Sequence, residues 1–194
     1  MQEFLASTNF TVVFISLIAV KFLLETYLKL RNLKSIELNK NAIPERFVGV
    51  VTEEEYKKSI VYNIDRIRFQ IFTALFGAVV LIIFTLGGLF NFLAEIVVST
   101  TSSDVLGAVL LGLLLLIVEQ VISIPISIYS TFVIEERHGF NKTTTKTFVT
   151  DMFKSLLISA TISSVIYATV IYIVVNLGDN WWIYAFGAVF ILQA

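Results

Sequence analysis

The sequence predicts an all-α protein, a polytopic bundle of transmembrane helices, and three observations lead to this prediction. First, 57% of the 194 residues are hydrophobic and only 15% are charged, whereas soluble domains average about 45–50% and about 25%. Second, the apolar residues are concentrated in long stretches with few charges, and about 20 predominantly apolar residues cross a bilayer as a helix. Third, the stretches do not alternate in polarity, as transmembrane strands do. An ordinary soluble enzyme is therefore excluded.

Four of the apolar stretches are long enough to span a membrane, and a fifth is shorter. They cover residues 10–30, 69–93, 105–133, 152–177 and 181–194. As a helix the fifth stretch reaches roughly 21 Å, less than the hydrocarbon thickness. We therefore expect four full spans and a partial fifth in a single transmembrane domain, residues 1–194, with the chain truncated at Ala194. A re-entrant or interfacial helix is the alternative.

The basic residues predict the orientation. Of the fourteen Lys and Arg, nine lie in or beside the loop between the first two spans, and four lie around the loop between the third and fourth. Cytoplasmic loops carry an excess of Lys and Arg, so both basic loops are expected in the cytoplasm and the N-terminus outside. The net charge of −1 provides no field that would attract nucleic acid, so no such partner is expected.

The first cytosolic loop, residues 31–68, is expected to be partly helical. Thr52 is followed three residues later by Glu55, which is the pattern of a capping box at a helix N-terminus. A helix should therefore begin at about residue 53 and continue without interruption into the second span.

Charged and polar side chains also occur inside the spans, where they usually face a bundle interior or a water-filled cavity. Lys21 and Glu25 are four residues apart on the first span and can pair. Glu119 and Gln120 lie at the midpoint of the third span. These four residues are candidates for the wall of an internal chamber. For Glu119 the alternative is a buried, neutral, hydrogen-bonded carboxyl, and for the serines spaced by four on the fourth span it is close helix packing.

The third span ends in the most informative segment of the chain. Pro125 is expected to kink the span, and Gly139 is expected to end its helix. Asn141 or Thr143 is expected to cap the helix that follows. Glu135 and Glu136 oppose the helix dipole at a C-terminus. We therefore expect them to have a cationic partner, such as Lys142, Lys146 or the basic residues of the first loop.

Metal binding by this chain alone is not expected. The chain has no cysteine and one histidine, His138. Thiolate sites and zinc sites that need two imidazoles are therefore excluded. The sequence predicts neither a metal site nor a catalytic residue in this chain.

These segments resemble the integral-membrane CAAX prenyl proteases, the zinc metalloproteases that include the a-factor-converting enzyme. That family has a proline-containing helix that ends in Glu-Glu-(Lys/Arg)-x-Gly-Phe-Asn, followed by Thr and later by Asp and Lys. The matching residues are Pro125, Glu135, Glu136, Gly139, Phe140, Asn141, Asp151 and Lys154. The segment before the second span, with Tyr62, Asp65 and Phe69, and Glu25-Thr-Tyr27 in the first span also look like this family.

The resemblance implies that the chain is the N-terminal membrane half of a zinc endopeptidase. The family's His-Glu-x-x-His helix and its third zinc ligand would lie beyond residue 194, so zinc is expected in the full-length parent and the chain alone should be an inactive part of this hydrolase. In the family the helices enclose a chamber. Glu135, Glu136, Asn141 and Asp151 would brace its inner rim, and substrate contact by the two glutamates is the alternative.

The resemblance also implies the partners and the location. The expected partners are the lipid bilayer, the C-terminal half of the parent protein, and a prenylated or other membrane protein or peptide as substrate. A homo-oligomer of the fragment would hide an unfinished bundle face. The location is an integral membrane one, either a bacterial or archaeal inner membrane or the endoplasmic reticulum.

Two other protease motifs are incomplete in this sequence. The second type of CAAX protease carries Glu-Glu-x-x-x-Arg, but Phe140 occupies the arginine position. Aspartyl intramembrane proteases carry Gly-x-Gly-Asp, and the first glycine is missing before Asp179. A stand-alone membrane scaffold, partner subunit or small transporter without enzymatic activity remains the alternative.

Overall fold

The computed structural model describes residues 2–41 and 43–193, and these residues are helical apart from the turns. The α-helices in chain order are α1 (Gln2–Asn39), α2 (Glu53–Thr85), α3 (Leu89–Val98), α4 (Asp104–Tyr129), α5 (Thr145–Asn176) and α6 (Trp181–Gln193). A π-helical turn, Ser130–Glu135, continues α4, and short 3-10 turns cover Glu45–Phe47 and Gly178–Asn180. No strand occurs in the described ranges.

Four of the helices are long and apolar enough to cross a membrane. They are α1 from Thr8 onwards, α2, α4 with its π-helical turn, and α5. This confirms the predicted all-α fold with four full spans, and it makes the protein an integral membrane protein. The helices α3 and α6 are shorter, and α6 corresponds to the partial fifth span.

The second predicted span is wrong at its C-terminal end. The sequence predicts one helix over residues 69–93, but α2 ends at Thr85 and α3 begins at Leu89. Gly88 separates them with φ of 78°, in the left-handed region that favours glycine. The predicted loop 94–104 is accordingly shorter, because α3 extends to Val98.

The predicted start of α2 is confirmed. The Thr52 backbone N–H donates to Glu55 Oε2 at 2.9 Å, and the Glu55 N–H donates to Thr52 Oγ1 at 3.2 Å. This reciprocal pair is a capping box. Because the apolar part of α2 begins only at Phe69, residues 53–68 form a polar helical extension in front of the span.

The end of the third span agrees with the prediction at Gly139 and differs from it at the cap of the next helix. The helix continues through Pro125, and its winding changes further along, in the π-helical turn. Gly139 ends it with φ of 71°, and the Phe140 N–H donates to the Glu135 carbonyl at 2.8 Å. The residue that caps α5 is Thr144, whose Oγ1 accepts from the Thr147 N–H at 3.1 Å. The predicted caps Asn141 and Thr143 are therefore wrong.

The chain forms two compact units. The first contains the residues before Phe84 together with Ile128–Asn141, which is α1, most of α2 and the end of the third span. The second contains Phe84–Ser127 and the residues from Lys142 onwards. In the second unit α6 packs on α5. Also in this unit, the ring of Tyr167 lies against Gly112 so closely that a Cβ at that position would overlap it.

Candidate functional site

Four side chains of α2 form one contact surface in the first unit, which we call the α2 face. They are Lys58, Tyr62, Asp65 and Phe69. Their spacing of four, three and four residues places them on the same side of a helix. The end of the third span lies along this face, so the two segments that carried the family resemblance contact each other.

Asp65 is the charged centre of this contact. Its Oδ2 accepts a hydrogen bond from His138 Nε2 at 3.0 Å and lies 3.4 Å from Arg137 Nη1. His138 is buried, with 7% of its surface exposed, and the carboxylate satisfies its ring nitrogen. Two consecutive residues at the end of the third span are therefore tied to one carboxylate on α2.

The electrostatics of Asp65 follow from this geometry. The residue lies in the polar extension of α2, ahead of the apolar part of the span. The hydrogen bond from His138 is the largest cause that lowers the pKa of Asp65 below its ordinary value, and partial burial opposes it. The electrostatic interactions of Asp65 with His138 and Arg137 also lower this pKa. The carboxylate is consequently held in its ionised, accepting form.

Aromatic contacts extend the interaction on both sides of Asp65. The Tyr62 ring lies edge-on to His138, with centroids 5.6 Å apart, and its centroid is 4.7 Å from that of Phe140. At the other end of the α2 face, the rings of Phe69 and Tyr129 are 5.0 Å apart. Such ring pairs stabilise a contact beyond the contribution of the apolar area that they bury, and they favour a defined orientation of the two rings.

Lys58 of the α2 face lies beside Gly139 and Phe140. Its Nζ lies 5.7 Å from the centroid of the Phe140 ring and would be 3.3 Å from a Cβ placed on Gly139. Glycine is therefore favoured there for two reasons, its positive φ and the close approach of the lysine.

The contacts of Glu135 and Glu136 lie within their own segment. Glu136 Oε2 accepts a hydrogen bond from Asn141 Nδ2 at 2.8 Å, and the Glu135 carbonyl accepts from the backbone of Phe140 and Asn141. Among the described residues of this unit neither glutamate forms an ion pair, so the expected partner in the first loop is not found. The ion pair of this segment instead joins Arg137 to Asp65.

Lys21 and Glu25 also lie in the first unit, on a cleft between α1 and α2. Lys21 Nζ is 3.8 Å from Glu25 Oε1, so the predicted pairing is confirmed. Glu25 Oε2 is in turn 3.9 Å from Lys29 Nζ, which donates to the Gln70 carbonyl at 3.2 Å. The cleft has a volume of about 310 Å³, and Gly77 on its α2 wall has open space in front of it.

The remaining predicted site residues belong to the second unit. Glu119 is exposed on α4 and Gln120 is half-buried, and the Gln120 carbonyl accepts from Ser123 Oγ at 2.9 Å. Pro125 is exposed on the same helix. Asp151 and Lys154 are exposed on α5.

Sequence reasoning missed the role of His138 and Asp65. It used the histidine only as an argument against a metal site, and it used Asp65 only for the resemblance. The spacing of Lys58, Tyr62 and Asp65 ahead of an apolar span was the available signal. It indicates a helix face outside the hydrocarbon that a neighbouring segment should cover.

The residues present do not fit a zinc ion. Within residues 2–41 and 43–193, no cluster of three or more His, Cys, Asp or Glu side chains is placed to hold a metal. His138 Nε2 is already hydrogen-bonded to Asp65. No chemical step of a metal can therefore be assigned to these residues.

Comparisons with known proteins agree with one another. A family model described as the CAAX prenyl protease N-terminal region, five membrane helices, matches residues 32–194. The CAAX prenyl protease 1 homolog of Arabidopsis thaliana is 33% identical over 181 residues, which are 90% of this chain and 42% of that protein. The homolog of Oryza sativa subsp. japonica is 31% identical over 179 residues, which are 89% of this chain and 42% of that protein.

A solved structure has the same fold. The crystal structure of S. mikatae Ste24p matches with a TM-score of 0.84 at 25% identity, over 94% of this chain and 43% of that one. The chain thus spans about two fifths of the length of the relatives that it matches.

Proposed function

Since this chain belongs to the CAAX prenyl protease family through its N-terminal membrane region, we propose that it is the membrane part of a zinc endopeptidase. In this proposal its helices form the wall of an intramembrane chamber, and the end of the third span supports the catalytic part of the parent protein. The metal and its ligands belong to that other part, because the residues described here do not fit zinc.

The contact between the α2 face and residues 137–140 carries the proposal. This contact holds residues 137–140, which are part of the motif of the family resemblance, against a helical extension outside the apolar span. The side chain of Glu136 is exposed and is held by Asn141 within the same segment. A rigid segment with an exposed acidic side chain can support a neighbouring domain. Such a segment can bind that domain without a change in its own backbone.

The charged residues inside the spans are an argument for the proposed chamber. Lys21, Glu25 and Lys29 together carry one net positive charge, and 77% of the Lys21 side chain is exposed. A charged group inside a span faces water or polar groups rather than lipid. Glu119 and Gln120 on α4, in the second unit, are further candidates for a chamber wall. The substrate we propose is a prenylated or other membrane protein or peptide.

The first experiment establishes the parent protein. The coding sequence is read past Ala194, and we expect a continuous frame with His-Glu-x-x-His, whose product binds zinc and cleaves a prenylated peptide. A stop codon directly after Ala194, together with no cleavage, would favour the stand-alone scaffold instead.

A second experiment tests the rim. In the full-length parent, Glu136→Ala should lower the folded yield or the cleavage rate without loss of zinc, because it removes the bond to Asn141 and the exposed charge. Glu54→Ala, at an exposed glutamate in the first turn of α2, is the matched control. Full activity and yield of Glu136→Ala would show that the rim assignment is wrong.

The chain by itself provides a third test. Purified residues 1–194 should neither bind zinc stoichiometrically nor cleave peptide, since they contain no group of ligands that fits the metal. Metal analysis after dialysis measures this directly. Tight binding of one zinc ion per chain would contradict the assignment of the metal site to another part of the parent.

A further inference from the structure

The short helix α3 is held close to a membrane surface by its connections. Three residues, Leu86–Gly88, join it to α2, and Ser99–Ser103 join it to α4. Both neighbouring helices are long and apolar enough to cross a bilayer, so Thr85 and Asp104 mark ends of spans. Three residues reach at most about 10 Å. With ten residues α3 is about 15 Å long, too short to cross the bilayer.

The sides of α3 differ in burial and polarity. Leu93 and Val97 are buried, with 6% and 7% of their surfaces exposed. Phe92 and Ile96, one turn apart on the neighbouring side, are 58% and 44% exposed. Asn91 and Glu95, also one turn apart, are exposed on a third side. The helix is therefore packed on one side and apolar but uncovered on the second, and on the third side Asn91 and Glu95 lie beside Val98, which is 76% exposed at the end of the helix.

The C-terminal end of α3 is capped by its own side chains, whereas the N–H groups of its first turn have no side-chain cap. The Phe92 N–H donates to the Gly88 carbonyl at 2.9 Å. At the other end Ser99 Oγ and Thr100 Oγ1 both donate to the Ile96 carbonyl, at 2.7 and 2.8 Å. The uncapped N–H groups need water or lipid headgroups as partners, and the interfacial layer of a bilayer supplies these whereas its hydrocarbon core does not.

We propose that α3 lies in the interfacial layer of the bilayer, with Phe92 and Ile96 inserted among the acyl chains and Asn91 and Glu95 directed towards water. The tether to two membrane-crossing helices makes lipid the occupant of the apolar side. No Lys or Arg occurs anywhere between Arg68 and Arg137. The insertion therefore depends on apolar contact rather than on anionic headgroups, and zwitterionic lipid suffices.

Spin labelling tests this placement without any background, because the chain has no cysteine. Single substitutions Phe92→Cys and Ile96→Cys report on the apolar side, and Asn91→Cys and Glu95→Cys are matched controls on the same two turns. A nitroxide is attached to each, and the chain is reconstituted in phosphatidylcholine vesicles. The collision rates with oxygen, which concentrates in lipid, and with a water-soluble nickel chelate are then compared. Val121→Cys, at a 60% exposed position inside α4, marks the deep membrane.

The expected result is a periodic pattern along α3. The ratio of oxygen to nickel collisions should be severalfold higher at positions 92 and 96 than at 91 and 95, but lower than at position 121. The pattern should not change when anionic lipid is added. Equal ratios on both sides would place the helix in water. Low collision rates with both reagents at 92 and 96 would mean that protein covers this side, and either result would overturn the proposal.

A variant that fails to fold would be recognised by its loss of helical circular dichroism. In that case Phe92→Trp and Asn91→Trp, in a background with Trp181→Phe and Trp182→Phe, replace the spin labels. Quenching by lipids brominated near the headgroup should be severalfold stronger for the tryptophan at position 92. Equal quenching at both positions would overturn the proposal.

Discussion

Asp65 contacts the side chains of Arg137 and His138 at the end of the third span. No other described residue at this end of the first unit makes as many charged contacts. His138, the chain's one histidine, is buried against it. A buried imidazole without a partner would lose hydrogen bonds that it makes in water. The carboxylate therefore both satisfies the histidine and holds the turn that follows it.

We predict that Asp65→Asn lowers the thermal midpoint of the chain at about pH 5, since it removes the negative charge opposite His138 and Arg137. The folded-state pKa of Asp65 lies below its ordinary value. Its contribution to stability is thus complete above about pH 4 and is lost as the pH falls through the folded-state pKa. The difference in thermal midpoint between the wild type and the variant should therefore be smaller at about pH 3 than at about pH 5.

Thermal unfolding in detergent, followed by circular dichroism at both pH values, measures this difference. Asp104→Asn, at an exposed aspartate in the first turn of α4, is the control. A difference between wild type and Asp65→Asn that stays the same at both pH values would contradict the prediction.

Two glycines inside spans give an opposed pair of predictions. Gly112→Ala on α4 should destabilise the chain by about 1–3 kcal/mol, because the new Cβ would overlap the Tyr167 ring. Gly77→Ala on α2 has no atom within 4 Å of the new Cβ and should stabilise by about 0.5–1 kcal/mol through its helix propensity. Unfolding in a denaturing detergent measures both, and equal effects would contradict the packing argument.

At the scale of the elements, α2 has two parts with different surroundings. Its extension is polar, begins at the capping box and carries the side chains that bind the end of the third span. Its apolar part crosses the membrane and ends at Thr85, ahead of the left-handed Gly88. One continuous helix thereby connects the proposed rim to the proposed chamber wall.

We predict that Thr52→Ala weakens the first turn of α2 by about 1 kcal/mol, since it removes the side-chain acceptor of the Glu55 N–H. Hydrogen exchange should then be faster for the amides of the first turn only. Thr52→Ser keeps the hydroxyl and should exchange as the wild type does. If Thr52→Ala exchanges at the wild-type rate, the capping box contributes nothing.

At the scale of the whole molecule, the distribution of Lys and Arg predicts the orientation in the membrane. In sealed membrane vesicles whose non-cytoplasmic side faces outwards, a thiol-reactive probe that does not cross membranes should label Ser102→Cys, between α3 and α4. It should label Lys34→Cys, near the end of α1, only after permeabilisation. The cysteine-free chain is the control for background labelling. The reverse pattern would contradict the rule that cytoplasmic loops are basic.

The sequence by itself predicted the helical membrane fold, because the length and apolarity of a span are local properties that the bilayer imposes on each segment. The capping box and the stop at Gly139 were predictable for the same reason, since both depend on residues within a few positions of each other. The family resemblance was also visible, because its motif is a continuous stretch.

Only the tertiary structure showed what that motif contacts. Asp65 and His138 are 73 residues apart, and no periodicity relates positions so distant. The break at Gly88 gives no hydropathy signal, because apolar residues continue on both sides of it, and the pair Gly87-Gly88 is its local signal. Asn141 was misassigned as a cap because its side chain prefers Glu136, a choice that depends on the geometry of the completed turn.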